Sequence, residues 1–482
     1  MLTELHLENF KAWRELTIKF GRITALFGEN SSGKTSVLQF LLLLKQTKDA
    51  TDRGLVLDFG GGPNERVDLG NFRAAVHRGA ETEDGPPDME WSLSWQPYGT
   101  EAMRLLTLGF LQRMELGSDR EVRSTSRVGF LTDPDRRLVV KRLAYEYWDV
   151  EFELKLKENG ERFELACSDE TFLPDARSSE SATQELLATL RGGSASPSAE
   201  VPDPEPGHEK GLPGPVKTHL FPAETRQRSR AFFDVVGGLE ASYEGLMDRI
   251  FYLGPLRDRP RRNYTWSGAR PKGVGDSGEY AIEAILAASA REQDDCFQGR
   301  IARNLKALGL IEAFSLREFG EGRGFYEAVV QRHEGGPEAT LADVGIGVSQ
   351  VLPVLVLLHY VPGGSIVLLE QPELHLHPSV QSRLADVMLD VARERDLQIV
   401  VESHSEHLLR RFQRRVAEEK AAPSELELYF VRSGKEEAGL DPLRLNEWGG
   451  IENWPEHFFG DEFGEIAATS KAELKRRMRK AE

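Results

Sequence analysis

Gly28-Glu29-Asn30-Ser31-Ser32-Gly33-Lys34-Thr35 fits the pattern GxxxxGK[ST], with an apolar run over residues 23–27 before it and a helix-like run over 37–44 after it. Strand, glycine-rich turn and helix together form a phosphate-binding loop. Glycines let backbone N–H groups turn inward, and the start of the following helix adds a favourable dipole. The phosphate-contacting set is Gly28, Asn30, Ser31, Ser32, Gly33, Lys34, Thr35 and Ser36. Lys34 holds the β and γ phosphates of ATP as a point charge, and the Thr35 hydroxyl is a ligand for Mg2+. The other half of such a site is an apolar strand ending in acid. Ile366-Val367-Leu368-Leu369-Glu370 supplies it, 336 positions beyond Lys34. One nucleotide site built from such distant segments implies a large insertion between them.

The rest of the pattern reads outward from those two segments. Residues 2–27 alternate as strands, and Val150-Glu151-Phe152-Glu153-Leu154-Lys155-Leu156 runs into an Asn159-Gly160 turn, a hairpin signal. Six prolines among Gly, Ser and Glu between Gly192 and Pro215 predict a flexible loop. Beyond it, helices are expected over 279–290, 294–308, 347–360 and 379–395, and strands over 325–331, 365–370 and 397–402. Buried strands alternating with helices predict an α/β fold with a mixed, largely parallel sheet core. An antiparallel β region and a large insertion complete it. The expected divisions are 1–87 (first part of the core), 88–250 (β-rich insertion with the 192–215 loop), 251–340 (helical and basic-loop region) and 341–482 (second part of the core and tail).

Composition narrows the class. A net charge of −17 argues against a surface coated for nucleic acid, and two cysteines among 482 residues make no disulfide framework. No leader pattern opens the chain, and its apolar runs are too short to span a bilayer. The reading is a soluble cytoplasmic chain with no membrane partner.

Around Glu370 the sequence continues Gln371-Pro372-Glu373-Leu374-His375-Leu376-His377-Pro378. Upstream stands Asp343-Val344-Gly345-Ile346-Gly347-Val348-Ser349-Gln350, a glycine-rich turn opening a helix. Downstream stands Val400-Val401-Glu402-Ser403-His404, a strand ending in histidine. This order, with the opening Leu7-Glu8-Asn9-Phe10-Lys11, resembles the ABC-type ATPases of the RecF, SMC and overcoming-lysogenization-defect (OLD) branch. The tail Asn453-Trp454-Pro455-Glu456-His457-Phe458-Phe459 is similar to a segment of standalone members of that group. Resemblance is good over 1–47 and 340–482 and loose between them.

The resemblance implies an ABC-type (RecF/SMC-like) P-loop ATPase with ATP and Mg2+ as substrate and cofactor. Thr35 and Glu370 would be the metal-side residues. Gly345, Gly347 and Ser349 would stand where the signature motif contacts the γ phosphate held by a second subunit, with Gly345 replacing the usual serine. His404 would be the switch histidine. The implied assembly is a homodimer or higher homo-oligomer. The implied partner is a separately encoded effector, a nuclease, in bacterial anti-phage defence such as the Septu and PARIS systems. In that superfamily a glutamate follows the metal-side acid and polarises the attacking water. Gln371 keeps the hydrogen bond but cannot accept the proton, so slow hydrolysis is expected, with Glu373 or Glu402 as substitute bases. The catalytic candidates are Glu370, Gln371, Glu373 and His404.

Other stretches carry rival readings. The basic loop from Tyr252 through Arg257, Arg259, Arg261 and Arg262 reads equally as a phosphate or nucleic-acid contact and as a solvated loop. DNA is therefore a candidate partner, and a RecF-like DNA clamp is an alternative. An ATP-dependent scaffold without turnover is another, kept open by Gln371. A transporter subunit is disfavoured by the 336-position separation, and Asp133-Pro134-Asp135 reads as a turn rather than a nuclease acid pair. His375 and His377 read as loop histidines rather than a metal site.

Overall fold

The computed structural model describes residues 1–52, 54–62, 65–80, 85–97, 121–131, 137–157, 160, 162–169, 212–226, 230–291, 296–320, 322–434 and 437–454. Asp133-Pro134-Asp135, most of the 192–215 stretch and the chain beyond Trp454 lie outside them. The chain divides into two compact units, Met1–Ile18 with Gln39–Asp248 and Lys19–Leu38 with Arg249–Glu482.

The first unit is built on an antiparallel sheet. Its strands are β1 (Leu2–Phe10), β2 (Trp13–Lys19), β4 (Met89–Trp95), β5 (Val122–Phe130), β6 (Leu138–Tyr147), β7 (Val150–Leu156) and β8 (Phe163–Cys167), in spatial order β2-β1-β4-β5-β6-β7-β8. Alternation along β4 and β5 buries one face, as a sheet covered on one side requires. Trp91, Trp95, Tyr145 and Phe152 are fully buried there. Phe40, on the second half of the Lys34–Asp49 helix, meets Phe10 and Trp91 edge-on at 5.1 and 5.4 Å. Thus β1 and β2, which precede the phosphate loop, pair into a sheet with strands of the 88–250 stretch.

The second unit holds two sheets. The smaller comprises β10 (Tyr264–Thr265), β11 (Ala313–Phe319), β12 (Phe325–Gln331) and β13 (Glu338–Thr340). The larger, in order β17-β16-β3-β15-β14-β9, uses β3 (Ile23–Gly28), β9 (Ile250–Leu253), β14 (Ile366–Glu370), β15 (Gln398–Glu402), β16 (Leu426–Arg432) and β17 (Gly439–Pro442). Five of its strands run parallel, with only β17 antiparallel. Both β14 and β15 are buried at every position, because helices cover both faces of such a sheet.

Those helices fall where apolar periodicity places them, at Ala281–Ser289, Cys296–Ala307, Ile346–Tyr360, Pro378–Glu394 and Glu406–Ala417. Ser405 caps the last by accepting from the Leu408 N–H. Parallel pairing carries the consequence that matters for the site: β3, β15, β14 and β9 all end on the same edge of the sheet. The class is α/β with mixed sheets, as expected from the sequence.

Candidate functional site

The phosphate loop follows β3, and its shape depends on glycine at two places. Gly28 has φ +141°, and a Cβ there would lie 2.2 Å from the Val431 carbonyl oxygen of β16. Gly33 has φ +107°, and Ser31 at φ +61° completes the left-handed turn. Lys34 is 2% exposed, and its ammonium folds back to donate to the Gly28 carbonyl at 3.1 Å. Burial lowers its pKa, while Glu402, Glu29 and Glu373 oppose the shift. Ser32 Oγ is buried and has no hydrogen-bond partner.

The acids come from the ends of neighbouring strands. Glu370 and Glu402 are register partners across β14 and β15, so two carboxylates stand side by side. Thr35 donates from its hydroxyl to Glu402 Oε2 at 2.7 Å. Tyr252, on β9, donates to Glu370 Oε1 at 2.9 Å. Burial pushes Glu370 up to about 7, and the neighbouring Glu402 charge adds to the shift. Burial also raises Glu402, against the pull of the Thr35 hydrogen bond and Lys34.

Gln371 leaves β14 in the left-handed region, at φ +44°, held by its N–H to the Glu402 carbonyl at 2.8 Å. Its side chain neighbours the Glu402 carboxylate and helps to hold that pKa down. Glu373 lies deeper. Its Oε1 accepts from Ser403 Oγ and from the His404 N–H, both at 2.8 Å, whereas Oε2 is buried without a partner. Burial raises its pKa as well. Burial, followed by the Lys34 charge, lowers the pKa of His404, and the neighbouring Gly28 backbone opposes the shift. Glu370, Gln371, Glu373 and His404 are therefore gathered against the loop that carries Gly28, Lys34 and Thr35.

The glycine-rich stretch is placed differently. Gly345 is the N-cap of the Ile346–Tyr360 helix, and a Cβ on it would meet nothing within 4 Å. Gly347 faces Leu376 and the His375 carbonyl, and the Ser349 hydroxyl donates back to the Ile346 carbonyl at 2.8 Å. Gly345 and Ile346 are exposed, so this turn is a free surface of the second unit. His377 caps its own helix by accepting from the Ser379 N–H.

Three further residues enter the site: Glu402, already read as a substitute base, and Tyr252 and Arg257 of the basic loop. Glu402 ends an apolar strand just as Glu370 does, a signal present in Ile399-Val400-Val401-Glu402. Tyr252 and Arg257 flank the Gly254-Pro255 corner after β9, and nothing in the sequence pairs that strand with β14. Arg257 donates from Nη2 to the Glu370 carbonyl at 3.4 Å. Two other cations of this loop are engaged elsewhere, Arg261 with Asp258 at 3.1 Å and Arg262 as a fork on Asp343 at 2.7 Å, and Arg259 is exposed.

These donors suit a magnesium nucleotide. Mg2+ takes oxygen ligands, keeps several waters, and needs only one or two carboxylates beside the substrate phosphates. The Thr35 hydroxyl, Glu370 and Glu402 offer that chemistry, and Lys34 with the loop N–H groups offers phosphate contacts. At the opposite edge of the sheet a cavity of about 640 Å³ is lined by Arg270, Arg291, Arg300, His359 and Arg395, among others.

Three known families match parts of the chain. Residues 1–82 match the family described as "AAA ATPase domain", and residues 290–410 match "AAA domain, putative AbiEii toxin, Type IV TA system". Residues 422–468 match "Protein of unknown function (DUF3696)". No curated protein matches in sequence. Among solved structures, an Smc head bound to the C-winged helix domain of ScpA is similar at 14% identity, over 92% of this chain and 98% of that one, with a TM-score of 0.44. The SMC head domain from Thermotoga maritima gives 12% identity, 92% and 98% coverage and a TM-score of 0.36. An Smc head with an extended coiled coil, bound to the C-terminal domain of ScpA derived from Pyrococcus furiosus, gives 13%, 92%, 96% and 0.39. The two AAA matches cover the two segments that meet in the site: one contains Lys34 and Thr35, the other Glu370, Glu373 and His404.

Proposed function

We propose that this chain binds ATP with Mg2+ and hydrolyses it slowly, as an ATPase of the OLD/RecF-like kind that dimerises around the nucleotide. The observation that carries the reading is the convergence of Lys34 and Thr35 with Glu370, Glu373 and Glu402 at one sheet edge. Mg2+, when bound, would neutralise charge on the phosphates, and the residues that would hold it are Thr35 with Glu370 or Glu402. Lys34 binds the phosphate chain. Glu373, with one oxygen fixed by Ser403 and His404 and the other free, is the group placed to take a proton from water. Gln371 and His404 orient neighbours: one holds Glu402, the other reaches the start of the phosphate loop.

In this reading a second subunit would supply Gly345 and Gly347 at an exposed helix N-terminus, where backbone N–H groups favour an anion. The Ser349 hydroxyl is already used within its own helix, so that contact would be made by backbone. The reading extends to a separately encoded partner effector, a nuclease, in anti-phage defence, which rests on the sequence resemblance. The DNA-clamp alternative draws less support, since Arg261 and Arg262 are ion-paired within the second unit. Light scattering on the full chain tests the assembly: ATP should raise the molar mass to at least a dimer, and Lys34→Ala should abolish the rise. Unchanged mass with ATP bound would remove the dimer from the account.

A further inference from the structure

We propose that Arg257 reads the terminal phosphate of the bound triphosphate, and so makes this site prefer ATP to ADP. The inference rests on the nucleotide reading above. Arg257 is turned away from solvent, and Nε and Nη1 are buried without any hydrogen-bond acceptor. Its one hydrogen bond, Nη2 to the Glu370 carbonyl, is long at 3.4 Å. A guanidinium keeps its charge at any physiological pH, so a buried one with open donors calls for an anion.

The protein's own acids do not provide it. Among the described residues no carboxylate oxygen lies within salt-bridge distance of Arg257, although Glu370 and Glu373 are within electrostatic reach. Glu373 Oε2 is equally buried and equally unpartnered. A cation and an anion in one cluster, each with open hydrogen-bonding capacity and not joined, leave room for something between them. That group must offer acceptor oxygens to the guanidinium fork and a proton to the carboxylate. A terminal phosphate with the water that attacks it does both. Lys34 approaches the same acids from the other side, since Glu402 and Glu373 act on its charge. Arg257 and Lys34 thus share Glu373 as an electrostatic neighbour, and a γ phosphate held by Lys34 would stand beside the acids next to Arg257.

The loop is built to deliver this single cation. Glu370 on β14 is tied to Tyr252 on β9, which fixes the end of one strand against the end of the other. Arg261 and Arg262 are ion-paired with Asp258 and Asp343 and Arg259 is exposed, whereas Arg257 has buried guanidinium atoms and reaches the Glu370 carbonyl.

The test compares AMP-PNP and ADP binding by calorimetry, with Mg2+, for the full-length wild type, Arg257→Lys and Arg257→Ala. Melting temperatures run alongside confirm folding. Wild type should bind AMP-PNP more tightly than ADP. Arg257→Ala should weaken AMP-PNP about tenfold or more and ADP less than about threefold, as loss of one charge-assisted contact predicts. Arg257→Lys should fall between, because it keeps charge but not the fork. Equal weakening of both ligands would make Arg257 a strut for Glu370 and overturn the proposal, as would no weakening of either. If Arg257→Ala does not fold, the Arg257→Lys ratio decides by the same criterion. Failure of wild type to bind either AMP-PNP or ADP would instead sink the nucleotide reading, and this proposal with it.

Discussion

The two edges of the six-stranded sheet are made by the same parallel strands, yet they treat charge in opposite ways. At the amino edge, cations are satisfied. Arg22 donates to the Ala392 carbonyl at 2.9 Å and lies 3.3 Å from Asp396 and 3.6 Å from Glu425. Arg393 forks onto Glu425, and Arg395 donates to the Leu358 and Val361 carbonyls at 2.9 and 2.7 Å. At the carboxyl edge, Lys34, Glu370, Glu373 and Glu402 are buried beside the half-buried Arg257, with open atoms on Ser32, Arg257 and Glu373. Buried polar groups are normally paired. The open groups of the carboxyl edge include charged ones, Arg257 and Glu373, which suits a ligand, whereas at the amino edge the Ser365 hydroxyl is open and the cations named above are paired.

That contrast can be broken or sharpened by substitution. Lys34→Ala, at the open edge, should reduce ATP turnover at least about a hundredfold while leaving the melting temperature unchanged or higher, because it removes a buried charge. Steady-state phosphate release and calorimetric scanning check both halves. Glu402→Gln should slow turnover about thirtyfold and weaken Mg2+ dependence, since the amide keeps the Thr35 hydrogen bond but loses the charge. A magnesium titration of the rate reads it.

The amino edge should respond in stability alone. His359 is held neutral by burial and by Arg395, Arg300 and Arg303, which push it down to about 4, and its Nε2 is bonded to Asn304 at 2.6 Å. Its folded pKa lies below the unfolded value near 6.5. The unfolded chain therefore binds the extra proton first, and the His359 contribution is lost as pH falls from about 6.5 toward 4. Partial solvent access leaves about 1.5 kcal/mol of that effect, seen as the difference between wild type and His359→Gln in denaturant midpoints at pH 7 and pH 5. Buried Glu370, Glu373 and Glu402 titrate in the opposite sense, so the difference, not the raw profile, is the readout. Arg393→Ala should cost about 0.5 kcal/mol with ATP turnover unchanged, as a partly exposed ion pair predicts.

Much of this was legible in the sequence, for physical reasons that differ by element. The strands β14 and β15 read clearly because double burial demands an unbroken apolar run, and the phosphate loop reads because its glycines are required by its backbone. Glu370, Glu373 and His404 could be placed together because each sits at or just past a strand end. Pairing was not legible. Alternation in β1 and β2 states which face is buried, not which strands lie alongside, and they join β4 in the first unit. Likewise Ile250–Leu253 states nothing of its pairing with β14, more than a hundred positions on, so the loop from Tyr252 through Arg257 reads equally as a phosphate or nucleic-acid contact and as a solvated loop. The Ser349 hydroxyl, expected to face outward, turns to its own helix because a serine one turn in can bond the preceding carbonyl.

The central claim is that Gln371 leaves water activation to Glu373 in a site that holds ATP longer than it cleaves it. Single-turnover release of labelled phosphate from wild type, Glu373→Gln and Glu402→Gln addresses it directly. Slow release by wild type, slowed about tenfold further by Glu373→Gln with ATP affinity preserved, is the predicted result. Fast release by wild type that neither substitution alters would contradict the account.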